Sequence, residues 1–156
     1  MKANDRNCAH VADAAAGYFD SGYNCAESLL LALAPAGAPD GIQRAATALG
    51  GGIARSGLAC GCLTGAALAV GLRMGRTSPD DTDSKERAYR VVSGVARRLA
   101  AEFGTTECRK LTGLDFNQKN PQEELDRVHA EVCSKVVRFV AAAAAEEIAA
   151  AGSRRE

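Results

Sequence analysis

Six cysteines are the residues of this chain best suited to chemistry, since the 156 residues include only two histidines. A thiolate binds soft metals and attacks disulfides, whereas a protonated thiol does neither well. Cysteines in a reducing compartment point to metal ligands or reactive thiols rather than to structural disulfides. Each one taken alone is equally well explained as a small buried side chain. They are Cys8, Cys25, Cys60, Cys62, Cys108 and Cys133.

Three of these cysteines, Cys25, Cys60 and Cys108, fall at or just before the start of a predicted helix. Cys25 follows Asn24, which has with Glu27 the spacing of a capping box ahead of an apolar run. The free N–H groups of a first helical turn and the helix dipole favour a thiolate. We therefore expect these three segments to meet and to gather their thiols at one redox or metal site.

The other cysteines are open to more than one interpretation. Residues 60–62 form a C-x-C pair, whose sulfurs can approach one metal in an extended or turn segment but diverge in a regular helix. Cys133 lies in the last predicted helix, four residues after His129, and is expected either in the core or beside that imidazole. For His129 a hydrogen-bonded polar role is favoured over metal ligation. Cys8, on an alanine-rich first helix, is expected to be a packing residue.

The elements that must position these cysteines are helical. Periodicity predicts an all-α, single-domain helical bundle of about five to six helices over residues 1–156, with residues 152–156 frayed. Aromatics make up 4% of the chain, so the core must consist mainly of Ala, Leu and Val. Tyr89 is expected in that core, whereas the alanines of residues 141–151 offer little bulk to bury. Helices are predicted near residues 5–20, 25–33, 40–49, 66–75 and 83–103, and Asp40 is the expected cap of the third. A short helical turn is predicted near residues 108–112. The last long helix is predicted to begin with Asn120 as its N-cap and Pro121 as its first residue.

Charge and hydropathy exclude several classes of function. Lys plus Arg and Asp plus Glu number 19 each, so no basic field exists to attract nucleic acid. No apolar segment follows the polar N-terminus, and residues 57–72 are too short for a membrane span of about 20 residues. We expect a cytoplasmic protein without a membrane or nucleic-acid partner, whose redox partner is an unidentified protein. A homodimer is compatible with the sequence, and the absence of C-x-x-C-H argues against c-type haem.

Taken as an ordered set, the cysteines resemble those of the C_GCAxxG_C_C family, small proteins of about this length to which a redox role is ascribed. The set comprises Cys25, then Cys60-Gly61-x-Leu63-Thr64-Gly65, then Cys108 and Cys133, with three glycines at residues 50–52 before the motif. The resemblance implies that Cys25, Cys60, Cys108 and Cys133 are the signature cysteines. It also implies a relation to modules fused to haem-bearing cytochromes, for which a redox role or an iron–sulfur cluster is expected. The chain departs from the motif at Cys62, where alanine is usual, so a fifth thiol is available as ligand or resolving partner.

Three functions follow as hypotheses. The preferred one is an iron–sulfur cluster or another thiolate-bound metal for electron transfer, because four thiolates suit a cluster or tetrahedral zinc. Its ligands would be the four signature cysteines. The second is a metal-free oxidoreductase in which Cys25 or Cys60 attacks a disulfide and Cys62 or Cys108 resolves it. The third is a non-catalytic helical interaction module with structural cysteines.

Two motif glycines, Gly61 and Gly65, are candidate cofactor-binding positions, because glycine lets another group approach the backbone closely. The motif also predicts that the two cysteines of the C-x-C pair differ in their importance for function. Replacing Cys60 by alanine is expected to abolish metal binding or redox cycling, whereas replacing Cys62 is expected to weaken or retune it.

Overall fold

The computed structural model describes residues 3–153, with side chains from residue 7 onward. Of the predicted frayed tail, residues 154–156 lie outside the described part, and residue 152 is still helical. No strand occurs among the described residues, and the all-α class is confirmed. A 3₁₀-helix spans Ile42–Leu49, and a π-helical turn at His129–Cys133 joins α6 to α7. The α-helices are α1 (Ala3–Asp20), α2 (Cys25–Leu33), α3 (Gly61–Met74), α4 (Thr82–Phe103), α5 (Cys108–Thr112), α6 (Gln122–Val128) and α7 (Ser134–Gly152).

The long helix α7 lies at the centre of the packing and contacts α1, α2, α3 and α4. The alanines of α7 contribute to the core, although their side chains were expected to offer little bulk: Ala141 and Ala144 are fully buried. Small side chains let neighbouring helices approach closely, so that an alanine face can be covered completely. The core is built mainly of Ala, Leu and Val, as the composition predicts.

The start of α2 has the predicted capping box. The side-chain oxygen of Asn24 accepts hydrogen bonds from the N–H groups of Ala26 and Glu27, and the Glu27 carboxylate accepts one from the Asn24 N–H. Cys25 is consequently the first residue of the helix. Such a cap contributes about 1 kcal/mol and fixes the direction in which the first turn begins.

Two other helix starts differ from the prediction. Asp40 is not a cap, because the segment that follows is a 3₁₀-helix preceded by Gly41 with a φ of 76°. Asn120 is not the N-cap of α6 either. Its amide donates to the carbonyl oxygens of Asp115 and Gln118, and the helix begins one residue after Pro121.

In α4 the predicted core position Tyr89 is wrong, since this side chain is 64% exposed. The buried stripe consists of Val91, Val95 and Leu99. Two residues along an α-helix are separated by about 200° of rotation, so a helix that buries Val91 turns Tyr89 outward. In a helix this rich in arginine, the aliphatic residues decide which face is buried.

No helix within residues 3–153 combines the length and the apolar character that crossing a bilayer requires.

Candidate functional site

Five cysteines from four separate segments line one small cavity of about 30 Å³. A water molecule needs about 10–15 Å³ measured in this way, so the cavity has room for one or two waters or a single ion. Leu111, Thr112, Val132 and Val136 complete its wall. Cys8 is buried elsewhere in the core, as expected of a packing residue. The five are Cys25, Cys60, Cys62, Cys108 and Cys133.

The Cys25 segment is fixed by the N-terminus of α2. Besides capping its own helix, Asn24 donates from its side-chain amide to the carbonyl oxygen of Thr47, at 3.0 Å. The Thr47 hydroxyl in turn donates to the Glu27 carboxylate, at 2.6 Å. The start of α2 is thereby held against the 3₁₀-helix, and Cys25 is held with it.

The Cys60 and Cys108 segments are joined by an isolated antiparallel β-bridge between Ala59 and Glu107. The Cys60 N–H donates to the carbonyl oxygen of Thr106 at 2.8 Å, and the Cys108 N–H donates to that of Leu58 at 2.7 Å. These bonds lie between residues almost fifty positions apart, which no local sequence signal reveals. They set the two cysteines side by side, each at the start of a helix.

The C-x-C pair spans the start of α3 rather than preceding it. Cys60 is the N-cap, with an extended ψ of 133°, and Gly61 and Cys62 are the first two helical residues. The change of backbone conformation between N-cap and helix lets both thiols face the same cavity, although residues two apart inside a helix diverge. The predicted start near residue 66 is therefore too late.

The two candidate cofactor-binding glycines lie where α3 meets α2. A Cβ at Gly61 would stand 2.3 Å from the Cys25 sulfur, and one at Gly65 would stand 2.3 Å from the carbonyl oxygen of Ala26. Both positions therefore require glycine for helix packing. Cofactor binding by them stays a prediction.

A left-handed turn beside the site was not foreseen from the sequence. Five consecutive residues have positive φ, including Ile53 at 63°, Ala54 at 49° and Arg55 at 67°. Non-glycine residues in this conformation cost about 1–2 kcal/mol each, and such strain concentrates at functional sites. The only available signal was the run of glycines, of which Gly51 and Gly52 begin the turn. A Cβ at Gly52 would stand 2.6 Å from the Cys108 Cβ, so the turn packs directly on the site.

The thiol of Cys25 is shifted toward its ionised form. A hydrogen bond from the Cys62 side chain is the main cause that lowers the pKa of Cys25 from 9.0 to about 7, against the opposing effect of burial. The backbone N–H groups of Gly51 and Ala26 lower it further. The helix start and the left-handed turn thus both direct donors at this sulfur.

The pKa of Cys62 is shifted in the opposite direction to that of Cys25. Its pKa lies well above 9.0, first because its thiol is hydrogen-bonded to Cys25, then because of a hydrogen bond with Cys60, burial and the nearby charges. The side chain is only 1% exposed. Cys62 is therefore a buried proton donor to the Cys25 thiolate.

Cys108 and Cys133 are protonated thiols at neutral pH. Burial is the main cause that raises the pKa of each to about 12, and the neighbouring cysteines add to it. Cys133 lies in the π-helical turn, where the Ser134 N–H donates to the carbonyl oxygen of His129. The His129 ring stacks on Phe19, with centroids 4.1 Å apart.

A wider cleft of about 460 Å³ opens in front of the small cavity. Cys25, Cys108 and Cys133 line both spaces, whereas Cys60 and Cys62 line only the inner one. Cys25 is thus accessible from the outside and has a second thiol directly behind it. The remaining lining residues are Phe19, Asn24, Thr47, Gly50, Gly51, Ala54, Arg55, Phe116, Leu125, Val128 and His129.

The described residues contain no group of three or more His, Cys, Asp or Glu side chains placed to hold a metal ion, although five thiols share a cavity. The hydrogen bonds of Cys62 connect it to Cys25 on one side and to Cys60 on the other. Cys62 thus has Cys25 and Cys60 as neighbours, while Cys108 and Cys133 line the same cavity of about 30 Å³.

The fold and the site define an all-α protein with a buried cluster of thiols, one of which is activated and accessible. The model of the family described as "Putative redox-active protein (C_GCAxxG_C_C)" matches residues 23–147. This span is most of the chain, so the protein belongs to that family, as the resemblance of the cysteine pattern predicts. No curated protein and no solved structure matches the chain.

Proposed function

We propose that the protein is a thiol–disulfide oxidoreductase in which Cys25 is the nucleophile and Cys62 is the resolving thiol. One observation carries the proposal: Cys25, whose pKa is lowered, lines both the open cleft and the inner cavity, and Cys62 lines that inner cavity behind it. Oxidoreductases of this kind need an accessible thiolate with a resolving cysteine within reach.

The reaction consists of two exchanges. The Cys25 thiolate attacks a sulfur of a disulfide R–S–S–R, which forms the mixed disulfide Cys25–S–S–R and releases R–S⁻. The Cys62 sulfur then attacks the Cys25 sulfur and expels the second R–S⁻, which takes up the proton lost by Cys62. In sum, Cys25 and Cys62 lose two electrons and form a disulfide, while R–S–S–R gains them and becomes two thiols, the first of which takes its proton from water.

The high pKa of Cys62 suits this order of events. Its largest cause is the hydrogen bond to Cys25, and the Cys25 charge contributes too. Both vanish once Cys25 is in a mixed disulfide, because that sulfur is neutral. Cys62 consequently becomes easier to deprotonate when its attack is required, and stays protonated before.

The test is to titrate the reduced protein in glutathione buffers of graded potential and to map disulfides by peptide mass spectrometry without reduction. We expect a reversible two-electron transition and a Cys25–Cys62 disulfide. Cys62→Ser should stop at glutathione attached to Cys25, whereas Cys8→Ala, a matched change in the core away from the site, should cycle normally. A Cys25 that remains a free thiol throughout would contradict the proposal.

The second candidate is an iron–sulfur cluster or another soft metal, held by Cys25, Cys60, Cys108 and Cys133. Its support is the convergence of these thiols on one cavity. The cavity of about 30 Å³ is small for a cluster, so the segments that carry these thiols would have to move apart to accommodate one. Metal analysis and visible absorption of protein purified without oxygen test this candidate. Stoichiometric metal that is lost in Cys108→Ala would favour it over the metal-free reaction.

A further inference from the structure

The cleft in front of Cys25 has an unbalanced charge. No Asp or Glu is among its lining residues. Arg55 supplies a cation there, with an exposed side chain for which no ion pair occurs among the described residues. Four other arginines of the described chain form ion pairs, as Arg109 does with Asp115 at 3.1 Å. The cleft therefore presents a positive charge without a partner.

The left-handed turn places Arg55 relative to Cys25. The Arg55 N–H donates to the carbonyl oxygen of Gly50 at 3.1 Å, and a Cβ at Gly51 would stand 2.9 Å from the Arg55 Cα. Gly51, in the same turn, lines the cleft beside Cys25, and its backbone N–H is one of the groups that lower the pKa of that thiol. One strained turn thus activates the nucleophile and presents a guanidinium to the cleft beside it.

The dimensions and walls of the cleft suit a small molecule. Its volume of about 460 Å³ lies within the range of small-molecule sites, about 300–1,000 Å³. Phe19 and Phe116 offer apolar surface for the body of a ligand. A guanidinium prefers a carboxylate, which it can bind through two parallel hydrogen bonds.

We infer that the substrates of this site are low-molecular-mass disulfides that carry a carboxylate, bound by Arg55 while Cys25 attacks the sulfur. The inference rests on the proposed function. The exchange is the one written above, with R bearing the carboxylate. Electrons pass from Cys25 and Cys62 to the substrate, which leaves as two carboxylate-bearing thiols.

The test uses three aliphatic disulfides of similar size as probes, which differ mainly in charge. The compound 3,3′-dithiodipropionate is anionic, bis(2-hydroxyethyl) disulfide is neutral and cystamine is cationic. Formation of the mixed disulfide on Cys25 is followed by intact mass and peptide mapping at low salt. Arg55→Gln should slow the anionic probe about three- to fivefold, as expected for a partly exposed ion pair, and leave the neutral probe unchanged. Arg55→Lys should restore most of the rate, and added salt should reduce the difference.

Arg90→Gln is the matched control, because it removes the same charge from an exposed position on α4, outside the cleft. It should leave all three rates unchanged. Equal slowing of the three probes by Arg55→Gln, or the same selectivity loss in Arg90→Gln, would overturn the inference while the proposed function stands. Failure of Cys25 to react even with the neutral disulfide would overturn the proposed function, and the inference with it.

Discussion

Removing the thiol of Cys62 tests the electrostatic basis of the site most directly. The lowering of the pKa of Cys25 from 9.0 to about 7 corresponds to about 3 kcal/mol in favour of the thiolate. The hydrogen bond from Cys62 is its largest cause. If that bond carries half of the lowering, Cys62→Ala should raise the pKa of Cys25 to about 8.

The rate at a single pH is a poor measure of this change. At pH 7 the thiolate fraction would fall from about one half to about one tenth, but the intrinsic reactivity of a more basic thiolate rises about threefold. The two effects nearly cancel. The pH at which the rate reaches half its maximum moves with the pKa alone, so it is the quantity to determine.

The assay is iodoacetamide alkylation of Cys25 between pH 5 and 10, quantified by peptide mass spectrometry. We expect a midpoint near 7 in the unmodified protein, about one pH unit higher in Cys62→Ala, and unchanged in Cys8→Ala. A midpoint that stays near 7 without Cys62 would refute the assigned hydrogen bond. The backbone donors of Gly51 and Ala26 would then have to be the main cause.

Two further predictions concern stability, measured as the free energy of unfolding in urea under reducing conditions. Gly65→Ala should destabilise the protein by about 3 kcal/mol, because the added Cβ would collide with the backbone of α2. In the control Gly71→Ala, on the same helix, the added Cβ meets nothing within 4 Å, so this change should stabilise the protein by up to about 1 kcal/mol. Equal effects of the two changes would contradict the close approach of the two helices. Cys108 and Cys133 have pKa values of about 12 in the folded protein, against an ordinary value of 9.0. As the pH rises above 9, the unfolded chain therefore loses these protons before the folded protein does. Each of the two cysteines should then lower the free energy of unfolding by up to about 1.4 kcal/mol per pH unit. The slope should diminish in Cys108→Ala, and an unchanged slope would show that its thiol is not shielded from water.

Local sequence signals predicted those parts of the site that depend on neighbours along the chain. The capping box of Asn24 and Glu27 is set by residues three apart, so it placed Cys25 at the first position of α2 correctly. The short helix at Cys108–Thr112 was predicted for the same reason. Helix starts with strong caps can be predicted from sequence because the interacting groups lie within a few residues of one another.

Errors occurred where tertiary contacts overrule local preference. Tyr89 has the character of a core residue, but packing of α4 on α7 buries Val91 and Val95 instead. The start of α3 was placed too late, since Gly61 is a poor helix former and is helical here because α2 passes directly over it. The left-handed conformation of Ile53 contradicts its intrinsic preference and persists only within the surrounding structure.

The sequence by itself determined the all-α class, the membership of the family and the placement of three cysteines at helix starts, because periodicity, caps and motif spacing are local properties. Only the tertiary structure decided which thiols meet. Cys62 and Cys25 line one cavity because Gly65 lets α3 approach the backbone of α2, and Cys108 joins them through the bridge between Ala59 and Glu107. Those contacts link segments far apart along the chain, and the ionisation of each thiol follows from them.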